Sequence, residues 1–292
     1  MTNDLVYLNG QYLRRHEATI SPLDRGFLFG DAVYEVIPIY HQQMFLCQDH
    51  LTRLNLNLSR INMDWRLDQH LLKEIFETLI QDEFAPNICA LYLQISRGTP
   101  DNLQRNHRYA KTTKPTIFAM LQARPERYLK DYLDGFTASL MPDLRWHCTH
   151  IKATSLLANV MHIENAKSNN AQEAILHYNN HLTEGASSNV FFVTQGILYT
   201  PSTEENILPG VTRKHIINLA KTLKIPSRIQ ACPLDLLLQA SEVMITSSTR
   251  EIMPIVAIDE HRVADGKPGR IFKQLFDAYK AALPQPRHET IA

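Results

Sequence analysis

Strand-like and helix-like segments follow one another along almost the whole 292-residue chain, and that succession confines it to a mixed α/β (α+β) fold. Val6–Leu13 reads as a hairpin turning on Asn9-Gly10, because both central residues of the tightest hairpin turn need positive φ. Strands follow at Ala32–Tyr40, Cys89–Arg97 and Thr116–Gln122. Helices are expected at His50–Ile61, where Leu51, Leu54 and Leu58 share a face, and at Asp68–Asp82. The polar stretch Ala123–Leu133, with Pro125 inside it, breaks the pattern. It divides the chain into a smaller N-terminal α/β domain (1–122), a linker (123–133) and a larger C-terminal domain (134–292). Beyond the linker the alternation resumes. Strands are expected at Phe136–Met141, Glu173–Tyr178, Val190–Val193, Ile197–Tyr199, Val243–Ser247 and Ile252–Ile258. Helices are expected at Thr154–Asn169, Arg213–Leu223 and Arg270–Ala282.

Bulk properties narrow the function classes. Thirty basic and thirty acidic residues give a formal net charge of zero, which argues against a nucleic-acid or other polyanion partner. No apolar run has the length to span a bilayer, and the N-terminus shows no basic region followed by an apolar one. Cys47, Cys89, Cys148 and Cys232 stand far apart with no CxxC pair. That spacing argues against a zinc site or a disulfide framework, so a reducing cytoplasmic setting is expected. His147 and His150 have no adjacent carboxylate, so no metal is assigned. A Gly-x-Ser-x-Gly elbow is also missing.

Several short segments carry chemistry. Lys152 stands just ahead of a predicted helix, and Glu184 follows 32 residues later in Glu184-Gly185-Ala186-Ser187-Ser188. Leu208-Pro209-Gly210-Val211-Thr212-Arg213 places a glycine turn before a helix, where the Val211 and Thr212 amides and the Thr212 hydroxyl suit an anion. Thr246-Ser247-Ser248-Thr249 offers four hydroxyls after a strand. Arg53, one turn from His50, can meet a phosphate with two hydrogen bonds. Arg105 and His107, two apart in a loop after Arg97-Gly98, fall on one side if the chain there is extended. Each segment alone has an ordinary reading too: surface lysine, loop carboxylate, capping threonine, polar turn, solvated basic loop. Lysine and carboxylate together match what pyridoxal phosphate needs, an amine for a Schiff base and an acid for the pyridine nitrogen.

In their order these segments resemble the fold-type IV pyridoxal-phosphate enzymes: D-amino-acid transaminases, branched-chain aminotransferases and aminodeoxychorismate lyases. The likeness runs from Tyr7-Leu8-Asn9-Gly10 to Pro254. It also takes in Asp24-Arg25-Gly26-Phe27-Leu28-Phe29-Gly30-Asp31, Tyr34-Glu35-Val36-Ile37 and His50-x-x-Arg53-Leu54. Within the family the chain looks most like the D-amino-acid transaminases, whose Arg-x-His pair is matched by Arg105-Asn106-His107 and whose substrate-side tyrosine is matched by Tyr34. The resemblance implies a two-domain fold with the cofactor between the domains, a homodimer, and transamination between a D-amino acid such as alanine and a 2-oxo acid such as 2-oxoglutarate. It also implies roles. Lys152 would hold the cofactor and move the proton, and Glu184 would face the pyridine nitrogen. Arg53, Val211, Thr212, Ser248 and Thr249 would bind phosphate, while Tyr34, Arg105 and His107 would hold the substrate carboxylate. Two departures stand out: Pro38-Ile39 replaces more polar or basic residues, and Ala153-Thr154-Ser155 replaces Ser-Leu-Asn after the lysine. The alternatives are a branched-chain L-aminotransferase, an aminodeoxychorismate lyase, and a non-catalytic cofactor-binding protein.

Overall fold

A computed structural model describes residues 4–86, 88–102, 104–125 and 127–286. Over these residues the chain forms two compact units. The first comprises Met1–Glu126, Ile151–Ser155 and Pro284–Ala292; the second comprises Arg127–His150 and Leu156–Leu283. The mixed α/β class expected from the sequence is what the elements show.

The first unit is an antiparallel sheet of β1 (Leu5–Leu8), β2 (Gln11–Arg14), β3 (Ala32–Tyr40), β4 (Gln43–Met44), β5 (Cys89–Ser96) and β6 (Thr116–Ala123), ordered β2-β1-β6-β5-β3-β4. Asn9 and Gly10 take φ of 51° and 89°, the left-handed pair that lets β1 turn directly into β2. A short helix α1 (Arg25–Phe29) precedes β3, while α2 (Cys47–Arg60) and α3 (Gln69–Ile80) separate β4 from β5. Leu51, Leu54 and Leu58 of α2 and Leu72, Ile75 and Leu79 of α3 meet Val33, Ile37, Leu91, Leu93 and Ile95 in one core. Each such side chain contributes roughly 1.5–3 kcal/mol by leaving water. Strand alternation sends Val33, Glu35 and Ile37 to that helical side, leaving Tyr34 and Val36 on the other face.

The second unit contains β7 (Phe136–Pro142), β8 (Glu173–Tyr178), β9 (His181–Gly185), β10 (Asn189–Thr194), β11 (Ile197–Thr200), β12 (Ser227–Ile229), β13 (Glu242–Ser247), β14 (Glu251–Ile258) and β15 (His261–Arg262). Their order is β12-β11-β10-β13-β14-β7-β8-β9, with β15 beside β14. Around them lie α4 (Leu157–Ser168), α5 (Val211–Thr222), α6 (Leu234–Leu238) and α7 (Arg270–Ala281). Both ends of the β8–β9–β10 run matter for chemistry, because they set Glu173, Glu184 and Asn189 on buried strand positions.

Two helix starts differ from expectation. Helix α4 begins at Leu157 rather than Thr154, because Ala153 bridges to Val33 and the Thr154 and Ser155 hydroxyls both donate to the Gly30 carbonyl at 3.3 Å. Those contacts hold the segment off helical geometry. Helix α5 begins at Val211 rather than Arg213, so Val211 and Thr212 lie inside its first turn. Valine and threonine are weak helix formers, which hides that start from a propensity reading.

Candidate functional site

Lys152 belongs to the first unit and is stitched onto the start of β3. Its carbonyl accepts from the Tyr34 amide at 3.0 Å, and the Thr154 amide donates to Ala32 at 3.1 Å. Gly30, at φ 67°, makes that approach feasible, since a Cβ there would lie 2.5 Å from the Ser155 hydroxyl. The Lys152 ammonium lies 4.0 Å from the centre of the Tyr34 ring, and Tyr34 in turn packs on Tyr92 at 5.7 Å. The amine is thus held by its backbone and cushioned by an aromatic face.

On the helical side of the same strand, Glu35 receives Arg53 through Nε and Nη2 at 2.7 and 2.8 Å and His50 through Nδ1 at 2.7 Å. Burial alone would raise the Glu35 carboxyl, but the charge and hydrogen bonds of Arg53, helped by His50, bring it down to about 2. Burial lowers the His50 pKa against the pull of Glu35, and the positive charges of Arg53 and Lys152 add to that lowering. Sequence reasoning singled out Arg53 but not Glu35 as its partner. A carboxylate on the core-facing side of an otherwise apolar strand was the available signal.

The second unit builds its own buried acid. Glu184 accepts from Arg145 Nη1 at 2.6 Å, from Asn189 Nδ2 at 2.8 Å and from the Leu208 amide at 3.1 Å. Arg145 is itself shared: its Nε and Nη2 grip Asp143 at 2.9 and 2.7 Å, and Thr183 also donates to Asp143. Burial pushes the Glu184 carboxyl up to about 7, with Arg145 and the Leu208 amide pulling against it. Burial opposes the Arg145 charge as well, yet bonds to Asp143 and the two nearby carboxylates hold its pKa above the ordinary range. Arg145 and Asn189 were not singled out from sequence. Asp143 and Arg145 lie two apart after β7, where an extended reading puts both on one side.

Next to Glu184 lies a cradle for an anion. Asn189 donates from the same amide nitrogen to the Leu208 carbonyl at 2.9 Å, two residues before Gly210 caps α5. Glycine is required at 210, because a Cβ would stand 2.0 Å from Asn189 Oδ1. No side chain caps the α5 N-terminus, which leaves the Val211 and Thr212 amides for a ligand. Thr246 pairs in register with Asn189 across β10 and β13, and among the described residues its buried hydroxyl has no hydrogen-bond partner. Ser248 and Thr249 sit in the turn that follows. An orphaned hydroxyl, uncapped helix amides and a carboxyl poised to meet a cation fit the phosphate and pyridinium ends of pyridoxal phosphate.

Arg105 and His107 both lie on Phe29: the guanidinium is 4.9 Å from that ring and the imidazole 5.2 Å. Arg25 ties the loop down by donating to the carbonyls of Asn106 and His107 at 2.5 and 3.0 Å, and Asp31 holds Arg25 and Arg97 together. Tyr34 keeps different company. Among the described residues no hydrogen bond, ion pair or ring contact joins it to Arg105 or His107.

Comparison with known proteins gives these arrangements a context. The family model for amino-transferase class IV matches residues 32–258. A D-alanine aminotransferase of Staphylococcus haemolyticus is 34% identical over 275 residues, covering 94% of this chain and 96% of that one. One from Listeria monocytogenes is 36% identical over 272 residues, covering 92% and 93%. Among solved structures, the branched-chain amino acid aminotransferase of Escherichia coli superposes with a TM-score of 0.86 at 22% identity, covering 99% of this chain and 98% of that one. The branched-chain aminotransferase of the archaeon Thermoproteus uzoniensis, solved with norvaline, gives 0.82 at 22% identity, covering 95% and 93%. At such identities the structural likeness speaks for the fold.

Proposed function

We propose that this chain, which belongs to the amino-transferase class IV family, is an aminotransferase that moves an amino group between a D-amino acid of the D-alanine type and a 2-oxo acid such as 2-oxoglutarate. The observation that carries this reading is the relation to D-alanine aminotransferases at 34–36% identity over more than nine-tenths of both chains.

Pyridoxal phosphate, when bound, supplies a ring that withdraws electrons from Cα of an attached amino acid. Lys152 provides the amine that holds it. The same amine, when free, would take the proton from Cα of the amino acid and return one there in the reverse half-reaction. Glu184 would keep a positive charge on the pyridine nitrogen. A carboxyl raised to about 7 by burial ionises readily once a cation lies against it. Arg53, the Val211 and Thr212 amides and the hydroxyls of Ser248 and Thr249 hold the phosphate, with Glu35 and His50 fixing Arg53 in place. Tyr34, Arg105 and His107 hold the substrate α-carboxylate and so decide which enantiomer turns its Cα–H toward the lysine.

The working form is a homodimer in the cytoplasm. Helix α4 supports a second copy, since it exposes Leu157, Val160 and Met161 together on its surface. Free cysteines support a reducing compartment, and no helix among the described residues is long and apolar enough to cross a membrane.

Assays of D-alanine and L-alanine, each with 2-oxoglutarate, test the reading. D-alanine is expected to react at least a hundredfold faster. A wild type that prefers L-leucine would replace this function with the branched-chain one. Lys152→Ala should lose both the visible absorbance of the lysine-bound cofactor and turnover; retention of both would move the amine to another lysine.

A further inference from the structure

The arginines of this protein differ in which edge of the guanidinium they use. The edge formed by Nε and Nη2 meets a carboxylate with two parallel hydrogen bonds. Arg53 fills it with Glu35, Arg97 with Asp31 and Arg145 with Asp143. Arg250 does not. Its Nη1 donates to Glu173 at 2.7 Å, while among the described residues its Nε and Nη2 have no protein partner. The side chain is 26% exposed, so that edge is reachable.

The position of this arginine is built. Glu173 is fully buried and also accepts from the hydroxyls of Ser187 and Ser188 at 3.1 and 2.9 Å, so it cannot follow Arg250 if the side chain moves. The Arg250 amide donates to the Ser247 hydroxyl at 3.2 Å, which closes the turn carrying Ser248 and Thr249. Ser188 adjoins Asn189, the residue that holds Glu184. Two anchors therefore fix a cation with an open bidentate edge beside the turn assigned to the phosphate, and Glu173 ties it to Ser188, the neighbour of the Glu184 partner Asn189. A half-satisfied guanidinium serving only the fold would gain more by turning the Nε–Nη2 edge to Glu173, as the other three do to their acids.

We propose that Arg250 is a specificity-determining residue whose open edge receives the second, side-chain carboxylate of dicarboxylic substrates, the 2-oxo dicarboxylic acid and its amino-acid product. The inference rests on the transaminase reading above. It assigns the residue that separates dicarboxylic from monocarboxylic substrates, whichever enantiomer the enzyme takes.

The test compares two acceptors, 2-oxoglutarate and 2-oxobutyrate, against one donor, D-alanine, in the wild type and in Arg250→Gln and Arg250→Lys holoenzymes. Losing one charge-assisted bidentate contact should lower kcat/KM for 2-oxoglutarate about thirtyfold in Arg250→Gln, mostly through KM. The 2-oxobutyrate value should change no more than about twofold. Arg250→Lys keeps the charge without the fork and should fall in between. Equal losses with both acceptors would reduce Arg250 to a support of the turn and overturn the inference. Should Arg250→Gln not fold, inhibition of the wild type decides the matter: glutarate should compete at least tenfold better than butyrate, and equal inhibition would overturn the proposal. A wild type active only on L-amino acids would fail the D-specific reading alone, because the same contrast can then be run with L-alanine as donor.

Discussion

Glu35 and Glu184 are both buried carboxylates bonded to arginine, yet one is held down to about 2 and the other is pushed up to about 7. Burial raises both. The difference lies in how each arginine is divided. Arg53 turns its Nε–Nη2 edge to Glu35, and His50 adds a third bond. Arg145 gives that edge to Asp143 and spares only Nη1 for Glu184. An arginine that gives a carboxylate its whole two-nitrogen edge locks that acid in its charged state and makes it a strut. A shared arginine leaves the acid near its switching point, where a further cation decides its charge, which suits the cofactor-facing role proposed for Glu184.

The largest expected effect comes from removing the poised acid. If Glu184 faces the ring as proposed, Glu184→Gln should lower kcat by about two to four orders of magnitude while the cofactor still binds, because it removes the charge but leaves the proposed phosphate contacts. Single-turnover rates together with the visible spectrum of the loaded enzyme check this. An unchanged kcat would erase the functional half of the comparison.

Glu35→Ala should act on stability instead. It strands Arg53 in the core without its acid, at a cost of about 3–5 kcal/mol in denaturant unfolding. Loss of kcat without loss of stability would mean that Glu35 is not the strut described.

The same contrast has a pH signature. Glu35 is lowered in the folded state, so its contribution is present above its unfolded value of 4.5 and is lost as pH falls from there toward 2. On the order of 3 kcal/mol should disappear over that window, and unfolding of Glu35→Gln should lack this share of the slope. Glu184 runs the other way: its raised value costs the cofactor-free fold stability as pH climbs from 4.5 toward 7. Cofactor binding should offset that cost most above pH 7.

The smallest effect sharpens the comparison most. Asp143→Asn removes the competitor for Arg145, so Glu184 should titrate lower, and kcat should change about tenfold at most. If the pH dependence of the loaded enzyme's absorbance is unmoved, the division of Arg145 is not what sets Glu184.

Much of the frame was legible in the residues. Asn9-Gly10 specified its hairpin because few other pairs accept two positive φ values, and Ala32–Tyr40 declared a strand by its β-branched and aromatic run. Lys152, Glu184 and Arg53 could be picked out by residue type and order. Glu35 and Arg145 left only weak marks, a carboxylate on the core side of an apolar strand and an acid two residues before an arginine, and Asn189 and Arg250 left none, because a linear sequence does not say which arginine will find which carboxylate. Local chemistry, through φ restrictions, alternation and helical periodicity, thus determined which strands and helices form. The tertiary structure alone decided that Lys152 lies along β3 and that Thr154 and Ser155 leave the expected helix, which arginine edges are filled, and which acid is left poised. Those outcomes depend on hydrogen bonds between residues tens of positions apart and on burial, and both exist only once the chain has closed on itself.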